Sequence, residues 1–293
     1  MEKIDLHIHT TCSDGVLNPY EVIDEAYKND VKIISITDHD TISAYTEDLI
    51  EYTKKKGIKL IPGIEISTKS NKCGIHVLGY NIDINNKEFS DILCGLRSTR
   101  HKYLYDVSKK LESIGFILNV NTLDKIDAVT KAHIANDVIN NKNNKDNLIK
   151  YFNHIPNKGE FIETIMNEGC PCYVKKETIT PSYAADIIRK YGGKPVLAHP
   201  VAYKCEDNLS CDEILKILKS MDCNAIEGNY VYVDKNNNKI NEVKLWNKFA
   251  IDNALVSTIG SDFHASDGIR PIIGLVDEEV DANIDDILNY IEG

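Results

Sequence analysis

At 293 residues, 42% of them hydrophobic and 27% charged, the chain has the composition of a soluble globular protein and the length to bury a core without a covalent staple. No apolar run approaches the ~18 residues of a membrane span. The opening Met-Glu-Lys-Ile-Asp lacks the basic start and apolar stretch of a secretory signal, so the chain is expected in the cytoplasm. A formal charge of −11 argues against a broad basic surface for long nucleic acid, but a pocket of divalent cations is locally positive whatever the overall balance, so a small anionic substrate is still admitted.

In chain order, Lys3–Leu6 reads as a strand and Pro19–Asn29 as a helix entered after Asn18, with Pro19 suited to its first position. Val31–Thr37, rich in β-branched residues, reads as a buried strand. Thr41–Lys56 is predicted helical with Gly57 as its stop, and Lys59–Ile66 and Gly74–Ile82 are predicted strands. Strand–helix–strand repetition of this kind predicts a parallel α/β architecture. From Glu88 to Ser113 the spacing of Phe89, Ile92, Leu93, Leu96, Tyr103, Leu104, Val107 and Leu111 predicts one long amphipathic helix. The polar stretch Asn140–Asn147 reads as a solvated loop. The alternation resumes with a helix over Tyr183–Tyr191, a strand over Lys194–Ala198, a helix over Cys211–Met221 and a short strand over Asn224–Ile226. A helix over Asn241–Asp252, a strand over Leu255–Ile259 and a closing helix over Asp285–Ile291 complete the chain. The expected organisation is a barrel domain from residues 1–99 and 178–293, with a mostly helical inserted lobe, residues 100–177, covering the active site.

Eight cysteines are present, and in a cytoplasmic chain of this size they read as free thiols rather than a disulfide framework. Cys170-Pro-Cys172 is half of a zinc pattern, but no second pair stands at matching spacing.

The polar residues at strand ends carry the chemistry. His7 and His9 end the first strand, and Asp38-His39-Asp40 follows the second. Glu65 and His76 lie on the next two, His199 follows Pro-Val-Leu-Ala, Glu227 follows Asn-Ala-Ile, and Asp262 with His264 follows Val-Ser-Thr-Ile-Gly. In a closed α/β barrel such strand ends open on one mouth. Residues two apart on a strand face the same side, which pairs His7 with His9. A single histidine on a strand is ordinarily a packing residue, but chance explains six of nine at strand ends poorly. Imidazole and carboxylate without thiolate suit Mn, Fe or Zn. One catalytic ion takes about three protein ligands, so a set this large implies roughly two or three ions, with Glu65 a natural bridge.

Four motifs in order resemble the polymerase-and-histidinol-phosphatase (PHP) superfamily: Asp5-Leu-His7-Ile-His9 with Ser13-Asp14-Gly15; Thr37-Asp38-His39-Asp40; Gly63-Ile-Glu65 with His76; and Ala198-His199-Pro200 with Ser261-Asp262-Phe263-His264. The resemblance implies a distorted seven-stranded (β/α) barrel and two or three divalent cations, Mn foremost, with Fe or Zn as alternatives. It implies that His7, His9, Glu65 and Asp262 hold a first ion, Glu65, His76 and His199 a second, and Asp14, His39 and His264 a third. Asp5 and Asp38 would orient histidines, and Glu227 would stand near the site without being a ligand.

The helical insert after His76 is similar to that of bacterial nucleoside 3′,5′-bisphosphate phosphatases, which also degrade short RNA from the 5′ end. That likeness implies phosphoester hydrolysis by a hydroxide held between two ions. It also implies substrate contacts from Asp14, Gly15, Arg97, Arg100, Lys131 and His133. Lys131 stands where the subgroup leads one to expect arginine, which replaces a bidentate fork by a point charge. Arg97 and Arg100, three apart on one helix face, read otherwise as solvated charge. The expected partner is a small phosphorylated substrate, a nucleotide or short RNA end, with no membrane and no long nucleic acid. Histidinol-phosphate phosphatase and a non-catalytic metal-binding PHP module are the competing readings.

Overall fold

A computed structural model describes residues 2–234, 236–266, 268–269, 271–276 and 282–293. The chain divides into two compact units, Met1–Ile92 with Thr178–Gly293, and Leu93–Glu177.

The strands of the first unit are β1 (Lys3–Ile8), β2 (Val31–Ile36), β3 (Lys59–Leu60), β4 (Gly63–Lys69), β5 (Gly74–Tyr80), β6 (Lys194–Leu197), β7 (Ala225–Asn229), β8 (Val231–Val233), β9 (Lys239–Asn241) and β10 (Val256–Ile259). Among the described residues they pair as a three-stranded sheet β1-β2-β3, a five-stranded sheet β10-β7-β6-β5-β4 and the hairpin β8-β9. A single seven-stranded ladder is therefore not what the hydrogen bonds draw. Two isolated bridges, Ile8 with Phe263 and His39 with Glu65, tie the smaller sheet to the β10 and β4 ends of the larger one.

The predicted strand Lys59–Ile66 is broken at Pro62, which cannot donate to a ladder, so β3 stays with β2 and β4 starts a new pairing. The expectation of a wholly parallel architecture is also corrected, since β5 runs antiparallel to both β4 and β6. The turn after β4, closed by Ser70 N–H donating to the Cys73 carbonyl at 2.9 Å, is far too short for the crossover that parallel strands need.

Helices cover the sheets. Pro19–Lys28 starts with a capping box in which Asn18 and Glu21 satisfy each other's amides. The second helix begins at Glu47 rather than Thr41, because Thr46 takes the N-cap and accepts from Leu49 N–H. The segment before it carries Tyr45, whose hydroxyl donates to the Ile36 carbonyl at 2.6 Å and accepts from Gly63 N–H at 2.7 Å, joining β2 to the start of β4. Ile8, Val22, Ile23, Ile34, Leu49 and Phe263 form one core under these helices. Leu6, Leu78, Tyr80, Val196, Ile259 and Ile287 belong to a second. Helix Pro200–Asp207 and the β8-β9 hairpin had no counterpart in the sequence reading.

The second unit holds most of the long helix Lys87–Ser113 and the shorter helices Val120–Leu123, Lys131–Asn140, Lys145–Phe152 and Lys158–Phe161. Leu104, Val107, Leu111, Phe116, Ile134, Val138, Leu148 and Phe161 close its own core. The supposed solvated loop at Asn140–Asn147 is largely helical, and Asn144 within it is fully buried. Its amide group accepts from Ile117 N–H at 2.7 Å and donates to the carbonyls of Ile117 and Val138 at 2.8 and 2.9 Å. All eight cysteines are free thiols.

Candidate metal centre

Strand ends of the first unit bring the predicted residues together. Glu65, on β4, is 1% exposed and sits inside a ring of imidazoles. Its Oε2 lies 3.0 Å from His39 Nδ1, 3.2 Å from His9 Nε2 and 3.5 Å from His7 Nε2. Its Oε1 lies 2.8 Å from His76 Nδ1 and 3.1 Å from His199 Nε2. Asp262 Oδ1 is 3.3 Å from His7 Nε2 and 3.2 Å from His9 Nε2. Asp14 Oδ1 faces His264 Nε2 at 3.3 Å, and its Oδ2 faces His39 Nε2 at 3.7 Å.

Among the described residues, three donor groups each fall within a 4.8 Å span: His9, Asp14, His39 and His264; His7, His9 and Asp262; and His39, Glu65 and His76. His199 stands outside these groups and meets the centre through Glu65.

Two features fit these residues to divalent cations. Ligand bonds of about 2.1 Å place tetrahedral ligand atoms roughly 3.4 Å apart, the range of the separations around Glu65 Oε2 and Asp262 Oδ1. In addition, Asp14 Oδ1, His39 Nδ1, Glu65 Oε2 and His76 Nδ1 are buried without a properly directed hydrogen bond, although polar neighbours crowd them. Buried polar atoms left without a hydrogen bond are costly, and a coordinated ion would satisfy them.

Outer contacts select the ring nitrogens. His264 Nδ1 is 2.9 Å from the Asp262 carbonyl, which only accepts, so Nδ1 bears the hydrogen and Nε2 is bare toward Asp14. Ser13 gives its hydroxyl proton to Asp38 at 2.5 Å, leaving its oxygen to accept from His9 Nδ1 at 3.3 Å. Asp38 thus reaches a histidine only through Ser13, and it also binds Thr10 N–H at 2.7 Å. Asp5 touches no imidazole in these contacts: it gathers the backbone amides of His7, Ser261 and Gly274 at 3.2, 2.9 and 2.8 Å. Each acid thus bears on a histidine indirectly, Asp38 through Ser13 and Asp5 through the His7 backbone.

The charges follow the geometry. Burial disfavours a charged His9, but the close carboxylates of Asp262 and Glu65 prevail and lift it to about 10. Burial instead dominates at His39 and pulls it down to about 4, despite Glu65 and Asp14 nearby. Burial also opposes ionisation of Glu65, Asp14 and Asp262, yet the surrounding imidazoles hold all three well below the usual carboxylate range.

A cavity of about 410 Å³ opens on the centre, lined by His39, His76, His199 and Asp262 together with Tyr203, Tyr230 and Tyr232. A site of this make-up, on these four motifs, matches a known family over most of the chain: the model of the PHP domain aligns with residues 5–245. The chain belongs to the PHP domain family.

Relatives within the PHP family span nearly its whole length. A 5′-3′ exoribonuclease of Haemophilus influenzae is 30% identical over 268 residues, covering 90% of each chain. A 3′,5′-nucleoside bisphosphate phosphatase of Chromobacterium violaceum is 26% identical over 269 residues, 90% of this chain and 88% of that one. In fold, the chain is similar to a structure from Bifidobacterium adolescentis described as a metal-dependent phosphoesterase, with TM-score 0.76 at 18% identity, covering 99% and 95% of the two chains.

The residues expected to contact substrate are placed differently. Gly15 packs on the backbone of β1's exit, where a Cβ would overlap the His9 carbonyl, so glycine lets the turn holding Asp14 come close. Asp14 stands in the first unit facing His39 and His264, whereas Arg97, Arg100, Lys131 and His133 belong to the second unit. Arg97 Nε pairs with Asp127 at 2.9 Å, and Arg100, 4% exposed, donates to the Val129 carbonyl at 3.3 Å. Lys131 donates to Asn167 at 3.0 Å, and His133 Nδ1 accepts from Thr130 N–H at 3.1 Å in a capping box.

Sequence reasoning passed over Ser13 as a relay, and over Tyr203 and Tyr230. The Tyr203 hydroxyl accepts from His76 N–H at 2.8 Å, and that of Tyr230 donates to Asp262 at 3.3 Å. The available signal was proximity in the chain, since Tyr203 follows the His199-Pro200 motif by one helical turn. Among the described residues, no helix is long and apolar enough to cross a membrane.

Proposed function

We propose that this PHP-family metal-dependent phosphoesterase hydrolyses nucleoside 3′,5′-bisphosphates and short 5′-phosphorylated oligoribonucleotides. The observation that carries the reading is Glu65, a buried carboxylate whose two oxygens face different imidazoles beside a cavity. The substrate class follows from the relatives named for these two activities, which align over about nine-tenths of the chain.

In this reading His7, His9, Glu65 and Asp262 hold a first ion, Glu65, His76 and His199 a second, and Asp14, His39 and His264 a third, with Mn the preferred metal. Bound divalent cations would supply Lewis acidity to the phosphoryl group and bring the pKa of a water down to about 7. The chain's own part is to keep three carboxylates ionised, present bare imidazole nitrogens, and hold the substrate phosphate at the floor of the cavity. Tyr203, Tyr230 and Tyr232 form the wall against which the leaving group would lie. We assign Asp14, Gly15, Arg97, Arg100, Lys131 and His133 to substrate contact. The cations of Arg97, Arg100 and Lys131 would exchange their present partners for phosphate oxygens.

One observation favours histidinol phosphate as a second reading. Glu206 and Asp207 line the same cavity, and among the described residues no lysine or arginine does, which suits an amine on the leaving group. Phosphate release measured from 3′,5′-bisphosphates, 5′-phosphorylated RNA and histidinol phosphate, together with metal analysis, separates the two. Glu65→Gln is expected to abolish turnover and lower the bound metal. Full activity in that variant would end the assignment.

A further inference from the structure

We propose that Glu227 is a positioning residue: its one carboxylate fixes which ring nitrogen of His7 carries the hydrogen and holds the backbone from which His199 projects. This rests on the reading of His7 and His199 as metal ligands.

The Glu227 side chain stands on β7 and is 0% exposed. Both its oxygens are in use. His7 Nδ1 lies 2.9 Å from Oε1 and 3.2 Å from Oε2, while the His199 backbone N–H donates to Oε2 at 2.8 Å. An ionised carboxylate only accepts, so His7 Nδ1 bears a hydrogen, and in the neutral ring that a metal ligand requires Nε2 is the nitrogen left as a lone pair. That lone pair lies 3.1 Å from His9 Nε2, 3.3 Å from Asp262 Oδ1 and 3.5 Å from Glu65 Oε2. Glu227 itself belongs to none of the three donor groups, so it acts through its neighbours rather than as a ligand.

The second contact matters because of where His199 sits. Its φ is +22°, in a region that side-chain-bearing residues avoid, immediately before the helix Pro200–Asp207. Such a conformation persists only when its surroundings hold it, and the hydrogen bond from the His199 N–H to Glu227 is a buried contact that does so. From that backbone His199 Nε2 comes to 3.1 Å from Glu65 Oε1. One side chain therefore sets a donor facing each oxygen of Glu65. Gly260 supplies the space, since a Cβ there would overlap both Glu227 Oε1 and His7 Cβ.

Glutamine at position 227 is nearly isosteric but can accept at only one of its two terminal atoms. If its oxygen keeps the His199 amide, its NH₂ faces His7 Nδ1 and favours the opposite tautomer, which turns a hydrogen toward the centre.

The test uses the full chain labelled with ¹⁵N-histidine, stripped of metal and reloaded with Zn²⁺ as a diamagnetic probe. Long-range ¹H–¹⁵N correlation reports which nitrogen of His7 is protonated, and calorimetry gives the Zn²⁺ affinity. Wild type is expected to show His7 protonated at Nδ1. Glu227→Gln is expected to lose that signature and bind Zn²⁺ about 10- to 100-fold more weakly, with Glu227→Asp, which keeps the charge, partly restoring both. A protein merely loosened by the substitution would melt earlier without exchanging the His7 tautomer. Wild-type His7 protonated at Nε2, or Glu227→Gln with unchanged affinity and spectrum, overturns the proposal. The wild-type spectrum decides even if the variant does not fold. Failure of the wild-type chain to take up Zn²⁺ would instead remove the ligand reading, and this inference with it.

Discussion

Among single residues, His9 has a charge that bears directly on metal uptake. Without metal it is held protonated up to about 10 by Asp262 and Glu65, whereas a ligand imidazole must be neutral at the coordinating nitrogen. Uptake therefore displaces a proton, and the apparent affinity should fall as pH falls, roughly tenfold per pH unit for each proton released. His39, already neutral above about 4, adds nothing to this dependence near neutral pH. Titration of the metal-free chain with Mn²⁺ between about pH 6.5 and 8.5 checks this: proton release and rising affinity are expected. Affinity flat across that interval would contradict it. The candidate donors that the structure gathers were legible from residue types at strand ends, but their protonation was not. It depends on partners such as Ser13 and Glu227, which reach His9 and His7 through contacts no spacing encodes.

At the scale of elements, propensity and periodicity located most helices and strands, and they erred where one side chain overrode the pattern. Pro62 cut a predicted strand in two, and Thr46 moved a helix start by several residues. Asn144 is the clearest case, because a polar run reads as solvent-facing until a buried amide is found stapling Ile117 to Val138. Asn144→Ala should strand those backbone groups and cost the second unit about 3 kcal/mol, given ~1–3 kcal/mol for each buried polar group left unpaired. Urea unfolding of the full chain, with amide exchange followed over residues 114–152, measures it. Exchange rates equal to wild type would show that the amide is dispensable. The paired arginines of the long helix show the converse, since Arg100 is buried rather than solvated and binds the Val129 carbonyl.

Across the whole molecule, the centre draws on β1, β4 and β5 and on the segments that follow β2, β6 and β10, so ions held there would cross-link parts of the chain far apart in sequence. A ligand that binds only the folded state adds about 2.7 kcal/mol when present at a hundredfold its dissociation constant. Chelation should accordingly lower the melting temperature, and Mn²⁺ should restore it. A melting curve indifferent to EDTA and Mn²⁺ would count against a structural hold of this kind. The sequence by itself determined the family, the candidate donor set and the alternation of elements, because motif identity and hydrophobic period are local properties of the chain. Only the tertiary structure decided the antiparallel course of β5, the split of the sheets, the engagement of Arg100 and Lys131 with neighbours in their own unit, and the place of Glu227 behind His7 and His199. These rest on contacts between residues tens to hundreds of positions apart, whose geometry is set by packing.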